Sequence, residues 1–525
     1  MSARRALFRQ SFRDGRTRTL SFAVLFFFAA LIQAAAYDKA YPTLQDKQAF
    51  AASFGNNAGI RIFYGVPHDL LTSGGYVSWR VGGTMALFLA VWGLLAGARV
   101  RAEEDAGREE LVLAGPLARG TVFQSFVLAV LAGALVVGVG GALALIAGGL
   151  PVVPSLFLAL SDTLVGVVFA GIGSLFAQLA PSRRTAVGLS MGAFALAFLI
   201  RVIADTTSAE WLRWLSPIGW AEEMQPFVGA RPAAALVPIA ASALLFFAAQ
   251  KLLLRRDIGS GMFASHDRRS PKLGLLGSPI ALGLRLERGS LLAWSLGVAA
   301  MALVFGAIAH SVTSGLTEQV ADVVQNFGAD DLTAQVYIGF LFVMYAFAAC
   351  LFVCAHLAAV RHEESEGRLE TELAEPVGRI SWIGGRMLIA VFGVVAIGAL
   401  AAIASWIGAN VTGTNVGLVD MFEVALNCLP SSLLFLGLGA LVFATLPRAT
   451  SGVVYGLVSA AFIWWMLGSA LDVPSWTLDL TPFHHIALWP AQSFNTGSAL
   501  IMSAIGLLAI AAALPLFRRR DLAGA

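Results

Sequence analysis

Twelve apolar runs divide this chain, each near the ~20 residues a helix needs to cross the hydrocarbon core of a bilayer. The first six fall at 20–37, 78–99, 121–149, 155–179, 185–204 and 233–254. The second six fall at 290–312, 334–359, 382–409, 421–446, 450–470 and 497–516. Inside a bilayer every backbone polar group needs a partner within its own segment, so such runs form helices. The expected fold class is therefore an all-α polytopic membrane protein with twelve transmembrane helices. Composition agrees: 58% of the 525 residues are hydrophobic and 13% charged, too few charges to clothe a soluble surface. A disordered tail, a secreted disulfide scaffold and a cytosolic enzyme are excluded. The first run follows six arginines and ends in Ala34-Ala35-Ala36, as a cleaved signal peptide does. An uncleaved span is preferred, because the second set of six opens with a matching span after Arg285 and Arg288.

Basic residues give the expected orientation. With the N-terminus in the cytoplasm, the cytoplasmic segments hold 28 Lys or Arg and the external ones six: Lys39, Lys47, Arg61, Arg80, Arg213 and Arg231. The reverse orientation inverts this ratio, so both termini are expected in the cytoplasm. The external segments carry Trp211, Trp214, Trp220, Trp476 and Trp489, residues that favour the membrane–water boundary.

The chain also repeats itself. The loop after the second span reads RAEEDAGREELVLAGPLAR, Arg101 to Arg119, and the loop after the eighth reads RHEESEGRLETELAEPVGR, Arg361 to Arg379. Ten of the 19 positions are identical without a gap. Leu215-Ser216-Pro217 is echoed by Leu480-Thr481-Pro482, and Arg255-Arg256-Asp257 by Arg519-Arg520-Asp521. The expected organisation is a first six-span half (1–254), a cytoplasmic linker (255–285) and a second half (286–525), repeated in parallel. The linker holds Gly259, Gly261, Ser265, Ser270, Pro271 and Gly274, a flexible composition.

Each loop has a local logic. Gly107 and Gly367 permit a break where the helix leaves the bilayer. REELVLA and RLETELA then supply two helical turns, which Pro116 and Pro376 stop. Glu104 with Arg108, and Glu364 with Arg368, have the acid-first i,i+4 order that favours an ion pair on a helix. The two loops hold five and six acids against three arginines each, where the membrane rule favours positive charge. Two related acidic loops fit a partner that presents two equivalent basic grooves.

With these residues in view, the E-E-x-x-G-R-x-E-x-x-L-A-x-P-x-x-R loop resembles that of type-2 ABC exporter permeases. The fused twelve-span form is most similar to the actinobacterial tetronasin and polyketide-antibiotic exporter permeases. The resemblance implies a coupling helix in each loop that docks on an ATPase. The coupling set would be Glu103, Glu104, Gly107, Arg108, Glu110, Pro116 and Arg119, with Glu363, Glu364, Gly367, Arg368, Glu370, Pro376 and Arg379. It implies two copies of a cytoplasmic P-loop ATPase that bind ATP and Mg, no cofactor in this chain, and amphiphilic or lipid-like substrates. It implies a location in the bacterial plasma membrane, and a cavity between spans two and five and between eight and eleven. The Arg-rich N-terminus resembles the family's surface elbow helix, with Ile280 to Glu287 as its second copy.

No G-x-x-x-x-G-K-S/T, H-E-x-x-H or Cys-His metal spacing occurs, so neither a catalytic set nor a metal site is expected. Asp162, Arg201, His356, Glu423 and Asn427 lie within spans, where polar groups are costly. Helix packing is the plainer reading of each. Arg201 and His356 are the better candidates for a substrate pathway, since the resemblance places the cavity there. Glu423 and Asn427 are expected on one face of span ten. Cys350, Cys354 and Cys428 read as small apolar filler. The alternative function is an ion-coupled secondary transporter of the twelve-span type, although the basic loop usual in that class is absent. A membrane enzyme or sensor subunit is a third reading. Nothing in the sequence points to nucleic acid.

Overall fold

The computed structural model describes residues 3–55, 58–257, 261–262, 274, 276–314, 334–414, 416–470, 474–489 and 492–521. Of the linker residues singled out above, Gly259, Ser265, Ser270 and Pro271 lie outside the described residues. The described residues hold twelve helices long and apolar enough to cross a membrane, and no strand. The protein is an all-α polytopic membrane protein. The chain divides into two compact units, Met1–Arg269 and Ser270–Ala525.

In the first unit the spans are Arg4–Ala40, Ser73–Asp105, Arg119–Ala147, Val152–Leu179, Arg183–Thr206 and Pro232–Leu253. Span one packs on three, two on four, and four on six. In the second unit the spans are Pro279–Ala307, Val336–Ser365, Arg379–Val411, Leu418–Thr445, Pro447–Met466 and Thr496–Arg519. Span seven packs on nine, eight on ten, and ten on twelve. Each unit thus repeats one packing scheme. Spans two, four, eight and ten are the inner helices, with 67–72% of their apolar stretch buried, against 22–28% for spans one, five, six, seven, eleven and twelve. The outer helices expose staggered apolar rows such as Leu20, Val24 and Phe28.

Close packing uses glycine where backbones meet. A Cβ on Gly93 of span two would stand 1.9 Å from the carbonyl oxygen of Gly166 in span four. One on Gly437 of span ten would stand 2.1 Å from that of Gly506 in span twelve. Without a hydrophobic driving force between helices in lipid, such approach supplies the dispersion that holds them.

Two expectations are corrected. The elbow segments are not separate helices: Ala3–Ala40 and Pro279–Ser314 each run unbroken from surface into span. Their charged residues change what the helix faces without breaking its backbone. Span ten is broken, as Leu418–Leu426 and Leu429–Thr445, with Pro430 opening the second piece. Glu423 is exposed, whereas Asn427 is buried and donates to the Ala487 carbonyl at 2.8 Å; the two do not share an environment.

Candidate functional site

The repeated loops fold alike. Gly107 sits at φ +68° and Gly367 at +71°, in the left-handed region that a Cβ disfavours. The turn separates the end of span two from a short helix, Arg108–Leu113, and the end of span eight from Arg368–Leu373. Pro116 and Pro376 follow, and Arg119 and Arg379 open the next spans. The exposed residues coincide position for position: Arg108, Glu110, Leu111, Ala114, Gly115 and Pro116 match Arg368, Glu370, Thr371, Ala374, Glu375 and Pro376.

The glycine turn also prevents the expected i,i+4 ion pairs, because helical spacing does not continue across it. Arg108 pairs with Glu103 at 2.6 Å, and Arg368 with Glu366 at 2.7 Å. Glu104 turns inward, buried, and grips Arg256 beyond span six through both carboxylate oxygens, one of them at 2.6 Å. Arg256 also donates to Gln178 of span four at 2.9 Å, and its carbonyl accepts from Arg119 at 2.7 Å. Arg101 donates to the Pro181 carbonyl at 2.6 Å. The second unit repeats this lock. Buried Glu364 meets Arg520 beyond span twelve at 3.0 Å, and Arg379 donates to the Arg520 carbonyl at 2.6 Å. Arg520 lies over the rings of Phe443 and Phe517 at 5.1 and 5.2 Å. Arg256 and Arg520 were missed as site residues. The echo at the ends of the two halves was their signal.

The loops differ in detail. Glu363 pairs with Arg386 of span nine at 2.8 Å, and Glu372 accepts from the Trp382 indole at 2.9 Å. Glu109 is buried where the second loop has Leu369, also buried. Burial, with the charge of Glu104 next, holds the Glu109 carboxyl above its ordinary range.

Arg201 is fully buried in an ion cluster: Nε lies 2.5 Å from Glu222 and 2.7 Å from Asp205, and Nη1 donates to the Ile62 carbonyl at 2.7 Å. Arg213 joins Asp205 at 2.7 Å, and Arg231 joins Glu223 at 2.9 Å. Burial, against the pull of Arg201, pushes the Glu222 carboxyl up to about 7. His356 lies 2.5 Å from the Glu287 carboxylate of span seven. The three cysteines are free and buried, and no group of three or more metal-ligating side chains occurs among the described residues.

Comparison with known proteins places this architecture. The family model described as "Multidrug efflux system permease Rv1217c, C-terminal domain" matches residues 11–251 and 276–518. The chain belongs to this family. The two matched stretches of the Rv1217c-type permease fall within the two compact units. The multidrug efflux system permease protein Rv1217c of Mycobacterium tuberculosis (strain ATCC 25618 / H37Rv) is 29% identical over 497 residues, which cover 94% of this chain and 90% of that protein. In this permease the repeated loops, Arg201 and His356 occupy four places: a lock at the end of each of the two loops, an ion cluster near the far end of span five, and a pair between spans seven and eight.

Proposed function

We propose that this chain is the membrane subunit of an ATP-driven exporter of the type-2 ABC kind, moving amphiphilic compounds out of a bacterial cell across the plasma membrane. The observation that carries the reading is the matched pair of surface helices, Arg108–Leu113 and Arg368–Leu373, with coincident exposed positions. Two like surfaces fit two copies of one partner, a cytoplasmic P-loop ATPase that binds ATP and Mg. The efflux function named for the mycobacterial relative supports export, and the distribution of basic residues supports cytoplasmic termini.

On this reading the coupling residues take two roles. Arg108, Glu110, Arg368, Glu370 and the residues before each proline meet the partner. Glu104 with Arg119, and Glu364 with Arg379, flank each short helix and tie both ends of the loop to the chain just beyond the sixth span of its half. Gln178 extends the first tie to span four. A push on the short helix therefore reaches several spans together, which alternation between inward-open and outward-open cavities requires.

The test is purification with the partner ATPase, comparing the native chain with the double variant Glu110→Arg, Glu370→Arg. The reading expects loss of ATPase binding or stimulation at an unchanged melting temperature. Full stimulation in that variant would overturn it. A chain that purifies alone and takes up an amphiphile on a proton gradient would establish the ion-coupled secondary transporter instead.

A further inference from the structure

Asp162 stands in span four with a relative exposure of 1%, and neither carboxylate oxygen has a hydrogen-bond partner. A buried carboxylate without a partner is costly, and inside a membrane span such a group marks a functional position by default. The side chain lines a cavity of about 40 Å³, walled also by Tyr64, His68, Trp79, Ser161 and Glu222. The volume suits an ammonium group with a water or two.

A second observation marks the same place. Span two departs from α-helical geometry at Ser78–Gly82, a single π-helical turn, and such turns gather at functional sites. The turn sets Gly82 against Asp162: a Cβ there would lie 3.9 Å from Oδ1. It also carries Trp79, whose indole donates to the Gly65 carbonyl at 2.9 Å and whose ring lies 5.0 Å from that of Tyr64. Aromatic walls beside a carboxylate favour a cation. Among the other titratable groups lining the cavity, Glu222 is an acid already engaged by Arg201, and burial followed by the charge of Arg213 holds His68 toward its neutral form. The Asp162 carboxyl is thus left without a cationic side chain on the cavity wall to pair with it.

Among the described residues of the second unit, the position of Asp162 carries no acid. Gly437 and Gly439 stand in register with Gly171 and Gly173, which sets Cys428 opposite Asp162. Cys428 is buried and its thiol donates to the Phe342 carbonyl at 3.4 Å.

We propose that the Asp162 cavity binds the protonated amine of an amphiphilic compound, with the carboxylate as counter-ion and Trp79 and Tyr64 as aromatic walls. As a class of transported substrate this rests on the exporter reading. As a binding site it does not, so its test leaves out the ATPase. Phenethylammonium is titrated by calorimetry into the full chain in nanodiscs, with phenethyl alcohol as the uncharged comparison. In parallel, dicyclohexylcarbodiimide labelling of Asp162 is followed by mass spectrometry with and without the amine. The proposal expects the amine to bind and to block labelling, the alcohol to do neither, and Asp162→Asn to weaken amine binding at least tenfold without lowering the melting temperature. Asp420→Asn, at an exposed acid on span ten, should bind as the native chain does. Equal binding of amine and alcohol, or undiminished binding by Asp162→Asn, overturns the site. Protection of Asp162 by sodium chloride at the same concentration as the amine overturns the organic ligand and leaves an inorganic cation site.

Discussion

At the end that carries the repeated loops, the first half sets Glu104 on Arg256 and the second sets Glu364 on Arg520, each backed by an arginine on the neighbouring carbonyl. At the opposite end the halves part company. Ser216 and Thr481 still cap matching turns, accepting from Gly219 and His484 at 3.4 and 3.3 Å. Beyond those caps, Glu222 and Glu223 face Ala487 and Leu488 in the same register. The first half thus keeps a six-membered charge cluster and a solitary buried acid, and the second puts apolar residues and a thiol there. On the exporter reading, a duplicated chain keeps alike what serves two copies of one partner. It can let diverge what serves a single asymmetric ligand.

The comparison can be broken at several points. The largest effect is expected at the locks. Arg256→Ala leaves Glu104 buried with weaker support and should destabilise the first half by about 3–5 kcal/mol. Arg520→Ala should cost roughly half as much, because Arg520 meets Glu364 through one nitrogen. Unfolding in detergent measures both, and equal losses would contradict the unequal geometry. Next comes pH. Glu222 lies at about 7 in the folded chain against an ordinary 4.5, so the folded state holds this proton better than the unfolded one. Its contribution is complete below about pH 4.5 and is lost as pH rises to about 7, at most about 3 kcal/mol. Glu222→Gln should flatten the stability profile in that window; an unchanged slope would refute the assignment. Gly107→Ala and Gly367→Ala should each cost about 1 kcal/mol. No other atom stands within 4 Å of the added Cβ in either case, so the two losses should match, and a mismatch would show that the turns are not equivalent. The smallest effect tests the faces. Leu111 is 79% exposed where the second helix has Thr371. On the exporter reading, Leu111→Thr should weaken binding of the proposed ATPase subunit about fivefold, by about 1 kcal/mol of lost apolar burial, and Thr371→Leu should not weaken it.

The spans were legible because a run of apolar residues has one solution in lipid, and the glycine turns because only glycine accepts that backbone without strain. The acid-first spacing of Glu104 and Arg108 misled for the same reason: the i,i+4 rule presumes an unbroken helix, and Gly107 breaks it. The partner of Glu104 lies 152 residues away, a distance over which only the echo of Arg256 in Arg520 gave a sign. Asp162 was visible as a polar residue in a span. Its solitude was not, since lack of a partner is a property of packing.

The unbroken helix Ala3–Ala40 has a mechanical consequence. At 1.5 Å per residue it is a rod of about 57 Å, nearly twice the thickness of the hydrocarbon core. It has no joint in which to lose a twist. Its far end is tied to span two, where Gln33 accepts from the Tyr76 hydroxyl at 2.8 Å, and to the segment before it, where Tyr37 donates to the Leu70 carbonyl. Tyr76 stands two residues before the π-helical turn that borders the Asp162 cavity. One continuous backbone therefore links the N-terminal arginines to the helix turn that walls that cavity.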